Sequence, residues 1–324
     1  MDKLRVGVIG VGHLGQHHAR IYSANPHTTL VAIQDLDKTR GQMIAKRYGV
    51  AFCDELVHLL PQVDAVSVAV PTSAHYPVVK ICLEAGLHVL VEKPITSTIE
   101  EGNELVRLAK GKQVILQVGH IERFNPVIDA ARSYIHNPGF LECHRLGPFQ
   151  PRGTDVDVVL DLMIHDLDMI LTFNLGQVQR VEAVGMPVFT NIIDIANARI
   201  EFSQGCVANL TASRVSTGRL RKLRVFQADC YLSVDYQVRE AIIHQRVSNP
   251  NHGSTIRTQF LRGDDDEPLR RELSSFVDAV KNGTRSPVPG EQGVASLELA
   301  HRVLEAIRMS GGPSTLPTSQ AKSL

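Results

Sequence analysis

The sequence predicts an α/β fold: a doubly wound parallel sheet, followed by an α+β domain with an open, mainly antiparallel sheet. Three observations carry this. The apolar run Leu4-Arg5-Val6-Gly7-Val8-Ile9 passes straight into Gly10-Val11-Gly12-His13-Leu14-Gly15 and a helical stretch to Ile21. Short β-branched runs then alternate with helical segments as far as Val118, the rhythm of parallel strands joined by right-handed crossovers. Beyond Pro126 the period changes, and short strands follow one another with polar turns between them.

The first element sets the chemistry. In a glycine turn between strand and helix, the first glycine permits the tight bend and the second lets the backbone approach a pyrophosphate. The third lets helix and strand pack closely, and the helix N-terminus favours the anion. The next strand, Leu30-Val31-Ala32-Ile33-Gln34, ends in Asp35, twenty residues beyond Gly15. A carboxylate there can accept hydrogen bonds from both adenosine ribose hydroxyls and repels a 2′-phosphate, which favours NAD over NADP. Lys38 and Arg40 lie close enough in sequence to receive that phosphate, and Asp35-Leu36-Asp37 also has the composition of a helix cap.

The alternation continues through helix 38–48, a short element near 51–53, a helical stretch 55–60 and the strand Ala65–Val70. Pro71-Thr72-Ser73-Ala74-His75 closes that strand, and helix 76–85 leads to Val89-Leu90-Val91-Glu92-Lys93-Pro94. In that last run a strand buried on both faces ends in a glutamate, a lysine and a proline. Ligands of open α/β sheets bind outside the carboxyl ends of the strands, so Lys93 is directed at the expected site. A salt bridge at a strand end is the alternative. Pro94 stops the strand, and its bond to Lys93 is one of the few places where a cis peptide is tolerated. Helix 99–109 and strand 114–118 complete the domain.

After a helix expected to reach His136, six strands follow at 141–146, 178–184, 197–202, 207–213, 221–228 and 231–236. An open sheet carrying Leu210, Val225 and Phe226 predicts a homo-oligomer, a dimer or tetramer. Between the first two strands, Val158–Leu171 has the period of an amphipathic helix, with Asp161, His165 and Asp168 at i, i+4 and i+7 on one face. A solvated polar stripe is one reading of that face and a substrate-facing set is another. The C-terminal part is helical again, from Pro268 to a stop at Gly283 and from Glu291 to Met309.

Bulk properties limit the partners. Length, 324 residues, favours two domains. With 34 basic and 34 acidic residues, no excess charge points to nucleic acid or a membrane surface. Five dispersed cysteines without a CxxC pair predict reduced thiols. Met1 leads directly into the first strand with no leader of signal-peptide length, and no apolar run approaches the roughly 20 residues of a membrane span. The expected setting is cytoplasmic. Zinc competes for Asp161 and His165, but the fourteen histidines are scattered without HExxH or a cysteine cluster, so no metal is expected.

Four segments together resemble the Gfo/Idh/MocA family of NAD(P)-dependent sugar and cyclitol oxidoreductases. They are the turn Gly10 to Gly15, the loop Pro71 to His75, Glu92-Lys93-Pro94, and Gly119-His120-Ile121-Glu122-Arg123-Phe124-Asn125-Pro126. The resemblance implies NAD held by Gly10, Gly12, His13, Leu14, Gly15, Asp35, Pro71, Thr72, His75, Glu92 and Lys93. It implies Lys93, Asp161 and His165 as catalytic residues that also touch substrate with Arg123, whose other reading is a domain-joining salt bridge. Arg152, Arg214 and Arg219 are further candidates for a diphosphate. The implied domains are 1–122 for the cofactor, 123–312 for substrate and oligomerisation, and a disordered tail at 313–324. Within the family, 118–126 and 161–168 are similar to the branch that acts on nucleotide sugars, which implies oxidation of UDP-N-acetylglucosamine to its 3-keto form for an aminotransferase in lipid A diamino-sugar synthesis. UDP-N-acetylglucosaminuronate, inositol or another polyol is the alternative substrate, and a non-catalytic NAD-binding regulator is the alternative of another class.

Overall fold

The computed structural model describes residues 2–150, 156–249 and 253–311. Arg152 and the segment 313–324 lie outside the described residues. The described residues form two compact units, one drawn from 2–124 with 266–297 and one from 125–265 with 298–311. This differs from the continuous partition expected above, because the helix Pro268–Asn282 joins the first unit.

The first unit contains β1 (Leu4–Ile9), α1 (Gly15–Ala24), β2 (Thr28–Gln34), α2 (Lys38–Tyr48), β3 (Ala51–Cys53), α3 (Leu56–Leu59), β4 (Ala65–Val68), α4 (His75–Glu84), β5 (His88–Glu92), α5 (Ile99–Lys112) and β6 (Leu116–Gly119). Its six strands lie in the order β3-β2-β1-β4-β5-β6, every neighbouring pair parallel. The order reverses between β1 and β4, so the glycine turn after β1 and the loop after β4 meet at the switch point, where such sheets bind ligands. β4 and β6 are buried along their whole length and β5 from Val89 onward, which explains their continuous apolar runs. Helix ends follow local chemistry: Asp37 accepts from the Arg40 amide to start α2, and Thr98 with Glu101 forms a reciprocal capping box on α5. Leu269, Leu273, Phe276 and Val277 of the helix Pro268–Asn282 pack into the core with Val6, Val8 and Tyr22. The outer edge of β6 is covered, since the Val118 amide donates to the Val288 carbonyl at 3.0 Å.

The second unit begins with α6 (Pro126–Arg132), shorter than the helix expected to His136, and β7 (Phe140–Leu146). A π turn (Val159–Met163) and α7 (Ile164–Leu171) precede β8 (Val178–Met186), β9 (Ile195–Phe202), β10 (Val207–Ser213), β11 (Leu220–Phe226), β12 (Cys230–Asp235), β13 (Glu240–Asn249) and β14 (Gly253–Arg262); α8 (Pro268–Asn282) and α9 (Gly290–Met309) close the chain. The eight strands are ordered β14-β13-β12-β11-β7-β10-β9-β8. Only the β7–β10 pair is parallel among the pairs formed. The β8 edge is closed from α9, where Arg302 donates to the Val178 carbonyl and Ser310 to the Ala183 carbonyl.

Two expectations are corrected here. The sheet has eight strands instead of six, β13 and β14 being additional; β14 is exposed nearly throughout and so has no alternating apolar face, with Ile256 66% and Phe260 75% accessible. Leu210 and Val225 lie on the buried face, not the open one. Successive strand residues point to opposite faces, so Val225 and Phe226 cannot share one. The open face instead carries a row running across four strands, Phe140, Phe226, Tyr231 and His244, with ring centroids 5.4, 5.0 and 5.8 Å apart.

Candidate active site

The glycine turn has the geometry that its three glycines require. Gly10 has φ +80°, and a Cβ there would come within 2.8 Å of the Ala69 carbonyl oxygen. A Cβ on Gly15 would lie 1.8 Å from the Gly10 carbonyl oxygen, whereas one on Gly12 would meet nothing within 4 Å. Two positions are thus closed by backbone, and the middle one faces open space where a ligand can approach. No side chain caps the start of α1, which leaves an anion-favouring helix end at that space. His13 is exposed, Leu14 half-buried and Gly15 buried. Gly15→Ala is expected to abolish detectable NAD binding in a calorimetric titration, because the added methyl overlaps backbone that cannot yield; undiminished affinity would contradict this geometry.

Asp35 resolves the two readings of its segment: Asp37 is the helix cap, and the buried Asp35 carboxylate turns back to the glycine turn. It accepts the Val11 amide at 2.8 Å, the Asp37 amide at 2.8 Å, and Arg40 through Nε at 3.1 Å and Nη2 at 2.7 Å. Burial works against its charge, but the bonds from Arg40, Val11 and Asp37 prevail and hold its pKa below the usual carboxylate value. Residues at the switch point therefore fit a dinucleotide: an open amide-lined turn for the pyrophosphate and a charged acceptor at the end of β2 for the ribose.

β5 ends in Glu92, followed by half-buried Lys93 and a cis bond to Pro94. Glu92 is buried against Gly119, where a Cβ would come within 2.9 Å of its carboxylate. Its Oε1 lies 3.0 Å from Nε2 of His18. In the loop after β4, Pro71 is exposed, Thr72 buried, and His75 fully buried with Nδ1 2.7 Å from the Pro94 carbonyl oxygen and Nε2 3.0 Å from that of Val70. Burial pulls the His75 pKa below its ordinary value, although both carbonyls favour its protonated form. Glu92 and His75 thus brace the turn around Lys93. Sequence reading missed their partners, although a histidine and tyrosine four apart on α1, and a serine within Ala65–Val68, were visible signals.

In the second unit the expected continuous helix is interrupted. The Ile164 amide reaches the Val159 carbonyl, five residues back, so Asp161 sits in a π turn and His165 in the first turn of α7. π turns occur often at functional sites. The extra residue breaks the i, i+4, i+7 face: Asp161 and His165 are half-buried while Asp168 is buried. The segment is started by Asp157, whose carboxylate accepts the amides of Val159 at 2.9 Å and Leu160 at 3.0 Å. Beside His165, Asp166 makes a two-pronged ion pair with Arg145 of β7 at 2.8 and 3.0 Å, which anchors α7 to the sheet.

The arginines separate by role. Arg123 donates to the Gln292 side chain within the first unit. Arg214 is buried, donating to the Val156 carbonyl at 2.8 Å with Asp194 at 3.9 Å, so it supports the start of the π segment instead of presenting a surface to a diphosphate. Arg219 is exposed. Among the described residues no cluster of three or more His, Cys, Asp or Glu side chains has the arrangement of a metal site. No helix among them is long and apolar enough to cross a membrane, and all five cysteines are buried and unbridged.

Comparison with known proteins identifies the fold's relatives. Residues 4–120 match the oxidoreductase family with an NAD-binding Rossmann fold, and 143–230 match the GFO/IDH/MocA C-terminal domain. UDP-N-acetylglucosamine 3-dehydrogenase of Acidithiobacillus ferrooxidans is 37% identical over 86% of this chain and 90% of its own length. Myo-inositol 2-dehydrogenase of Thermotoga maritima is 28% identical over 94% and 96%. A solved structure of the Acidithiobacillus enzyme superposes with TM-score 0.89 at 35% identity, covering 95% of this chain and 99% of that one. Levoglucosan dehydrogenase, solved with NADH and levoglucosan, shares the fold with TM-score 0.86 at 18% identity over 95% and 98% of the two chains. The chain belongs to the GFO/IDH/MocA family of oxidoreductases and is a dehydrogenase acting on a CH–OH group.

Proposed function

We propose that this dehydrogenase oxidises the 3-hydroxyl of UDP-N-acetylglucosamine with NAD, giving a 3-keto nucleotide sugar for an aminotransferase in lipid A diamino-sugar synthesis in the cytoplasm. The observation that carries this reading is the 37% identity, over most of both chains, to an enzyme named for that substrate. Asp35, charged and at the end of β2, supports NAD over NADP.

Oxidation of a secondary alcohol needs a base for the hydroxyl proton and a group that stabilises alkoxide character. His165 takes the proton, a role suited to an imidazole whose ordinary pKa lies near neutrality. Lys93 hydrogen-bonds the same oxygen, and Asp161 orients the substrate or His165. Arg123 is assigned to the substrate as well. NAD, when bound, supplies the hydride acceptor.

A substrate panel tests the assignment. Initial rates with NAD should be highest for UDP-N-acetylglucosamine, and lower by at least about 10²-fold in kcat/KM for analogues lacking a hydrogen-bonding group the site has paired. Faster turnover of UDP-N-acetylglucosaminuronate would reassign the sugar. Faster turnover of myo-inositol would favour the polyol reading, which the Thermotoga relative supports.

The protein works as a homo-oligomer joined through the open sheet face, supported by the half-buried row Phe140, Phe226, Tyr231 and His244. Light scattering on eluted protein is expected to give a dimer or tetramer for the wild type and a smaller species for Phe226→Asp. A monomeric wild type would refute the assembly.

A further inference from the structure

The residues on either side of Lys93 are each reached by a histidine, one from α1 after the glycine turn and one from the start of α4 after the β4 loop. On one side His18 of α1 reaches Glu92, the residue before the lysine, with Nε2 3.0 Å from Oε1. Its Nδ1 lies 3.0 Å from Ser67 Oγ on β4, and the Tyr22 hydroxyl, one turn along α1, lies 3.0 Å from the same oxygen. His18 Nε2 meets Glu92 as a close ion-pair contact without hydrogen-bond geometry, while Ser67 Oγ sits between His18 Nδ1 and the Tyr22 hydroxyl. Burial keeps the Tyr22 phenol protonated and able to donate. All four residues are buried. On the other side His75, at the end of the loop after β4, reaches the carbonyl of Pro94, the residue after the lysine, at 2.7 Å.

We propose that His18 and His75 are positioning residues for Lys93, tying the residues on either side of it to the helix after the glycine turn and to the loop after β4. The inference rests on the reading of Lys93 as catalytic. Its physical content is that the two loops that receive the cofactor also set the lysine. Glu92 supports the assignment as well, because its carboxylate packs closely over Gly119, where a Cβ would come within 2.9 Å of it. A buried carboxylate is costly unless paired. Pairing it through a histidine from α1 connects the strand end to the cradle, which an apolar side chain at either position would not do.

The test compares His18→Leu, His18→Gln, His75→Leu and Lys93→Ala in the full-length protein, with NAD affinity by calorimetry, thermal midpoint, and kcat and KM for UDP-N-acetylglucosamine. His18→Leu and His75→Leu are expected to lower kcat about 10²-fold, the loss produced by displacing a reacting group by about 1 Å, with KM within a few-fold of wild type and, for His18→Leu, NAD affinity within a few-fold as well. His18→Gln, whose amide keeps a polar group beside Glu92, should recover most of kcat. Wild-type kcat in both leucine variants, with Lys93→Ala inactive, overturns this inference and leaves the function intact. A loss that follows thermal midpoint and NAD affinity together, and that glutamine does not restore, makes the histidines structural only and also overturns it. Full activity in Lys93→Ala overturns both readings. Should His18→Leu fail to fold, His18→Met, which likewise has no polar group for Glu92, is measured in its place, with the same split expected and wild-type kcat again contradicting it.

Discussion

Replacement of Lys93 by alanine is expected to lower kcat by about 10²–10³-fold, the loss seen when one preorganised donor to a developing oxyanion is removed. His165→Asn is expected to lower it by about 10²–10⁴-fold, the usual contribution of a positioned general base. Both variants should still bind NAD by calorimetry, because the turn at Gly10–Gly15 and the Asp35 carboxylate are untouched. The two sites have different structural origins. Lys93 follows the buried carboxyl end of a parallel strand, whereas His165 follows a π turn. Steady-state kinetics on both variants decides the assignment, and activity retained by both contradicts it.

Asp166→Ala is expected to destabilise the protein by about 3–5 kcal/mol, since it removes one partner of a buried pair and leaves the other charged. Both side chains are only 3% accessible, and the Arg145 guanidinium lies over the Tyr236 ring, 5.6 Å from its centroid. Dispersing that charge into the core has no cheap route. The reciprocal change, Arg145→Met together with Asp166→Leu, should recover most of the loss, because replacing a whole buried pair by apolar side chains of similar volume is often neutral or better. Urea unfolding of the single and double variants measures both. A single-variant loss of about 0.5 kcal/mol or less, the range of ordinary surface changes, would show that the pair is not what anchors α7.

The first unit was legible because its signals are local. A glycine that must turn, a strand too apolar to face water and a proline that ends it each act within a few residues, and the elements from Leu4 to Gly119 follow the expected order closely. The second unit was harder for identifiable reasons. β14 lacks an apolar face, so no period-2 pattern marks it. The π turn adds one residue to a helix whose composition has an α-helical period, and this buries Asp168 while Asp161 and His165 remain half-buried. Arg214 looked like a ligand for phosphate because charge is visible in a sequence, whereas the Val156 carbonyl and Asp194 that engage it are set by the fold. The buried chain Tyr22–Ser67–His18–Glu92 joins three elements far apart in sequence, and no spacing rule connects them.

The most direct test of the proposed activity is an absorbance spectrum of the purified protein with NAD before and after addition of UDP-N-acetylglucosamine, with an aminotransferase present to draw off the keto sugar. Growth of the NADH band in the wild type and its absence in Lys93→Ala is the predicted result. No band in the wild type, with NAD demonstrably bound, would contradict the nucleotide-sugar assignment.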